Sequence, residues 1–77
     1  MKTLVEMNDQ DFLIQLGKRI ATLRKAKGYS QLDLGSIIDM EKSNLSAIEN
    51  GRQNPSSLTL KKIADALQVK VINFFEV

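Results

Sequence analysis

Residues 42–50 of this chain, KSNLSAIEN, carry the side chains best suited to recognition chemistry. Leu45 and Ile48 form one apolar edge at helical spacing. Lys42, Ser43, Ser46, Ala47 and Asn50 fall on the other face, which is small and polar. A helix meant only for solvent would normally carry more Glu and Lys. Small side chains instead let a helix press deep into a groove, and the major groove of B-DNA admits one α-helix. Hydroxyl, amide and ammonium groups on such a face can bond to base edges and phosphate oxygens. The same face would serve a generic helical interaction module, and the residues alone leave both uses open.

Other chemistries are poorly supplied. The chain has 77 residues, no histidine and no cysteine. That removes the usual general base, the commonest metal ligand, thiolate sites and disulfides. A lone Ser, Lys or carboxylate would need a pocket that so short a chain has little room to build. An enzyme, a metal site and a bound cofactor are therefore not expected. Hydrophobic residues at 43% and charged residues at 26% describe one globular domain rather than a disordered chain. No apolar run approaches the roughly 18 residues of a membrane span, and the acidic N-terminal stretch is not a signal peptide. A cytoplasmic non-enzyme is the expectation.

The net charge of +2 is a weak hint of an anionic partner. Its distribution says more: residues 18–62 hold nine basic side chains against four acidic ones.

The elements that would position these groups read as α throughout. Residues 1–8 form an arm or a short strand. Asn8 or Asp9 caps a helix of about 18 residues with Phe12, Leu16, Ile20 and Leu23 as its stripe. Gly17 lies inside it, and close packing would compensate its poor helix propensity. Lys25, Lys27 and Gly28 close it. Ser30 caps a short helix through the Asp33 N–H, with Leu34, Ile37 and Ile38 buried. Asp39-Met40-Glu41 links it to the 42–50 helix, which Asn50-Gly51 stops. After a polar loop with Pro55, Ser56 or Ser57 caps a fourth helix whose core stripe is Leu60, Ile63, Ala64 and Leu67. Gln68 breaks that rhythm. Val71, Phe74 and Phe75 suggest a short fifth helix.

Several pieces then occur in order at family spacings: Ile20-x-x-Leu23-Arg24, Ser30-Gln31-x-x-Leu34, Ser43-Asn44-Leu45-Ser46-x-Ile48-Glu49-Asn50-Gly51, Pro55-Ser56, Leu60, Ile63-Ala64 and Ala66-Leu67. In these the chain resembles the Cro/C1-type (Xre family) helix-turn-helix domain over about residues 16–75. The resemblance implies an all-α, five-helix, lambda-repressor-like domain over residues 9–77. Helices two and three would form the helix-turn-helix, and the third, about Lys42 to Asn50, would be the recognition helix. It implies double-stranded DNA as partner, bound by a homodimer at a near-palindromic operator.

The resemblance also distributes roles. Glu41, Lys42, Ser43 and Ala47 stand at base-reading positions. Lys42 suits guanine or a phosphate, and Ala47 suits a thymine methyl. Gln31 is implied to touch phosphate and steady the recognition helix. Ser30 is first a cap, with a backbone N–H that can meet phosphate. Asn44, Ser46, Asn50, Arg52 and Asn54 complete the phosphate set. Tyr29, just before the second helix, could touch phosphate or pack. Arg24 is implied not to touch DNA but to form a largely buried ion pair with Glu49.

Some positions depart from the family pattern. Asp39 stands where the turn usually holds glycine, and Gly35 replaces the usual alanine. Glu41 stands where Ser or Thr often caps; it would repel phosphate but can accept from cytosine N4. Val71, Ile72, Phe74, Phe75 and Val77 make an apolar tail that either closes the core or forms a dimer interface. Compact members of this type include restriction–modification controllers and phage-type repressors; an effector domain and a small-molecule ligand are not expected here. The rival reading is a helix-turn-helix fold that has lost DNA binding and acts as an antitoxin-like or adaptor module.

Overall fold

Asn8 starts the first helix: its side chain accepts the Asp11 N–H at 2.8 Å. A computed structural model of the protein describes residues 3–76. Helix α1 spans Asp9–Ala26. Gly28, at φ +87°, turns the chain out of it, and the Tyr29 N–H returns to the Arg24 carbonyl at 3.2 Å.

Ser30 and Asp33 cap helix α2, Gln31–Ile38, reciprocally. The Asp33 N–H donates to Ser30 Oγ at 3.0 Å, and the Ser30 N–H donates to Asp33 Oδ2 at 2.9 Å. Asp39 ends α2 in the left-handed region at φ 57°, and the Met40 N–H bonds the Gly35 carbonyl at 2.8 Å. The turn therefore closes without its usual glycine, because Asp tolerates this conformation.

Helix α3 spans Lys42–Glu49 and α4 spans Ser57–Leu67, the latter capped by Ser56 accepting the Thr59 N–H at 3.1 Å. Gln68 ends α4, also left-handed at φ 58°.

One core joins the helices. Leu16 and Ile20 of α1 meet Leu34 of α2, Leu45 and Ile48 of α3, and Leu60, Ile63, Ala64 and Leu67 of α4. Each large side chain so buried stabilises the fold by about 1.5–3 kcal/mol. Helix α1 packs on α3 and on the C-terminal segment, while α2 packs on α3 and α4.

The fifth helix is not α-helical. Val71–Phe75 is a 3-10 helix of five residues, so the described chain has four α-helices. Five residues are too few to nucleate an α-helix, and the tighter 3-10 turn suits short pieces. Phe74 is 1% exposed and belongs to the core, so it is not available for a dimer interface. Val77 lies outside the described residues. Ile37, expected on the buried face of α2, is 53% exposed. Leu34 is the buried apolar side chain of α2, and Ile38 is half-buried against the core. Within residues 3–8 no strand forms; Leu4–Glu6 makes a single 3-10 turn.

Candidate nucleic-acid interface

At about 100° per residue, Ser43 and Ala47 share the centre of the face of α3 opposite Leu45 and Ile48. Lys42 and Ser46 flank them on one side and Asn44 on the other. Lys42, Ser43 and Asn44 are exposed, while Ser46 and Ala47 are half-buried. No side chain larger than Lys42 rises from this surface. Glu41 precedes it, exposed and making no side-chain cap. The first-turn N–H groups of α3 are thus left without a side-chain cap. Lys42 and Arg52 make no side-chain hydrogen bond or ion pair among the described residues.

The end of α3 is committed inward. The Gly51 N–H donates to the Ile48 carbonyl at 3.1 Å and the Arg52 N–H to the Ala47 carbonyl at 2.9 Å, with Gly51 at φ +74°. Asn50 turns its side-chain nitrogen onto the Ser46 carbonyl at 2.8 Å. The Asn50, Gly51 and Arg52 N–H groups are therefore already bonded within the helix end. The Arg52 side chain and the exposed Asn54 are what the loop presents. The Ser30 N–H is likewise held by Asp33. These bonds hold the Asp33 carboxyl below the usual carboxylate range, the Ser30 N–H contributing most and its hydroxyl next.

What holds α3 is a buried polar cluster. Arg24 Nε donates to Glu49 Oε2 at 2.7 Å, and Arg24 Nη2 donates to Glu49 Oε1 at 2.9 Å. Gln31 Nε2 donates to the same Oε1 at 2.9 Å. Arg24 Nη1 donates to the Tyr29 carbonyl at 2.8 Å. The Arg24 and Glu49 side chains are 8% and 5% exposed. The hydrogen bond to Glu49 raises the Arg24 pKa, against desolvation. Among the described residues no buried side-chain polar atom lacks a partner. Arg24 is thus turned into the fold, and Gln31 bonds the cluster with its donor group.

The approach of α1 to α3 is equally tight. A Cβ on Gly17 would collide with the carbonyl oxygens of Ile48 and Glu49. A Cβ on Gly51 would meet the Ile14 backbone, 2.8 Å from its Cα. Gln10 adds a bond to the Gly51 carbonyl at 3.3 Å, which sequence spacing gave no reason to expect. Tyr29 packs half-buried against the core.

A small polar helix face, locked from behind and preceded by a capped helix and a tight turn, defines a helix-turn-helix protein. Comparison with known proteins agrees. The helix-turn-helix family model HTH_3 matches residues 20–72, and the chain belongs to that family. It is 35% identical over 66 residues to control protein C.MunI of Mycoplasma sp, covering 84% of this chain and 89% of that protein. It is 38% identical over 56 residues to the immunity repressor protein of Bacillus phage phi105, covering 73% of this chain but 39% of the repressor. The crystal structure of the restriction-modification controller protein C.AhdI from Aeromonas hydrophila superposes with a TM-score of 0.79 at 33% identity, covering 82% of this chain and 96% of that one. The family is one of transcriptional regulators rather than enzymes. No helix among the described residues is long and apolar enough to cross a membrane.

Proposed function

We propose that the chain is a sequence-specific regulator of transcription that binds double-stranded DNA as a homodimer on a near-palindromic operator. The observation that carries this is the outer face of α3: small, polar, uncovered, and fixed to α1 and α2 by the Arg24–Glu49–Gln31 cluster. Lys42, Ser43 and Ala47 read bases, with Glu41 accepting at the edge of the site. Arg52, Asn44, Ser46, Asn54, Ser30 and Gln31 line the phosphates. Asn50 joins them only by releasing Ser46. Occupancy is the mechanism: bound dimer blocks or recruits polymerase, and control comes through concentration and self-association.

Ile72 is the centre of the dimer interface in this reading. It is 66% exposed, with Val71 and Phe75 half-buried beside it. Two-fold symmetry of the protein then matches two half-sites about one helical turn apart.

The test is binding to the DNA upstream of the protein's own coding region against a scrambled duplex of equal length, at about 0.15 M salt. Specific binding is typically at least about 10³-fold tighter than non-specific binding. A preference of that size supports the reading. Binding too weak to fall steeply with salt, on this duplex and on duplexes selected from random sequence, would instead favour the interaction-module reading.

A further inference from the structure

Four carboxylates stand in α2, the turn and α3: Asp33, Asp39, Glu41 and Glu49. Two of them are engaged within the fold, Asp33 with the Ser30 N–H and Glu49 with Arg24 and Gln31. Glu41 is not. It sits exposed at the N-terminus of α3 in extended backbone, yet makes no side-chain cap, hydrogen bond or ion pair among the described residues. Near a polyanion such a carboxylate lowers affinity for every sequence, and it offsets that loss only where it finds a donor. In the major groove guanine O6 and N7 and thymine O4 are acceptors, while cytosine N4 and adenine N6 carry donors. Adenine sets its N7 acceptor beside the donor, which suits an amide that both donates and accepts. Cytosine suits a carboxylate, which only accepts. Lys42, the next residue, only donates and suits guanine. A G·C pair therefore presents what both neighbours demand.

We propose that Glu41 is a specificity-determining residue: it accepts from a cytosine amino group in each half-site and penalises DNA that lacks one, so it sharpens discrimination while lowering affinity overall. This rests on the DNA-binding reading and names the base that its free carboxylate selects. Discrimination by an element that repels the wrong partner is as effective as one that attracts the right one. The same negative charge favours the α3 dipole, but that role moves stability and leaves sequence preference untouched.

Selection from random duplexes by the full chain, then salt titration on the selected and a scrambled duplex, tests this with three variants whose folding is checked by circular dichroism. The wild type selects a motif with a fixed cytosine in each half-site, and replacing that base weakens binding by about tenfold or more. Glu41→Ala loses the preference and binds the scrambled duplex several-fold more tightly. Glu41→Gln moves the preference toward adenine, which an amide reads with two bonds. Asp39→Asn removes the same charge two residues away, where asparagine also tolerates the left-handed turn. It tightens binding to both duplexes alike and leaves the motif unchanged. A wild-type motif kept by both Glu41 variants, or relaxed by Asp39→Asn as far as by Glu41→Ala, would overturn the role of Glu41 and leave DNA binding standing. A wild type that selects no motif would overturn the DNA-binding reading and this inference with it.

Discussion

Arg24 and Glu49 meet in a two-pronged ion pair, 2.7 and 2.9 Å long, that joins the end of α1 to the end of α3. Both side chains are buried, and Gln31 at the start of α2 bonds the same carboxylate. The first three α-helices are thus tied at one point.

Removing one partner leaves a buried charge alone. Arg24→Ala is expected to lose roughly 3–5 kcal/mol of stability. A domain of this size has only about 5–15 kcal/mol to lose, so Tm falls by more than about 12 °C. DNA binding disappears in step with folding. A variant that melts like the wild type yet fails to bind would mean that Arg24 acts on DNA directly.

Gly17→Ala sets two effects against each other. Alanine favours a helix over glycine by up to about 1 kcal/mol. Here its Cβ would strike the carbonyls of Ile48 and Glu49, and overpacking of this kind costs about 1–3 kcal/mol. Net destabilisation is expected, with a larger loss of DNA affinity than of stability, because α3 itself must move. Thermal melts beside binding curves measure both; a stabilised variant would show that α1 yields instead.

The capping box gives the stability a pH dependence. Asp33 is held below its ordinary range by the Ser30 N–H and hydroxyl. A group depressed in the folded state adds stability above its unfolded value, near pH 3.9, and that gain fades as pH falls through the folded value. Wild type should therefore melt above Asp33→Asn at neutral pH, and the two should converge below about pH 4. Parallel curves down to pH 2 would remove Asp33 from this role.

Much of this architecture is legible before folding. Ser30 with Asp33, Ser56, Gly28 and Asn50-Gly51 announce helix ends because local hydrogen bonding and φ preferences operate over a few residues. The identity of α3 as the exposed polar helix follows from spacing in the same way. The Arg24–Glu49 pair came from resemblance, since charge type alone suggests a DNA contact for Arg24. The failures are non-local. Periodicity says which side chains share a face but not what covers them, so Ile37 looks buried and Phe74 looks available. Val71–Phe75 is too short for an α-helix, and the donor that meets its Asn73 carbonyl, Arg19, lies 54 residues away. The inward bonds of Asn50 and Arg52 belong to the helix end as a whole and no single residue announces them.

Arg52 and Lys42 separate two kinds of contact. Arg52→Ala should weaken binding to all sequences alike and lower the slope of log affinity against log salt by about 1. Lys42→Ala should lose discrimination at particular base pairs if it reads guanine, by about 1–3 kcal/mol for each. Salt titrations on operator and scrambled duplexes check both. A uniform loss for Lys42→Ala would reassign it to phosphate.

Ser43→Glu tests the role of α3 most directly. Ser43 is exposed in the first turn of that helix, where a negative charge is favourable to the helix dipole. The fold should keep or slightly raise its Tm. The same carboxylate, longer and negative, would stand between the helix and the floor of the groove. Affinity for the operator is expected to fall by about a hundredfold or more, the order of two lost base contacts. Wild-type affinity in a fully folded Ser43→Glu protein would contradict the assignment of α3 as the surface that reads DNA.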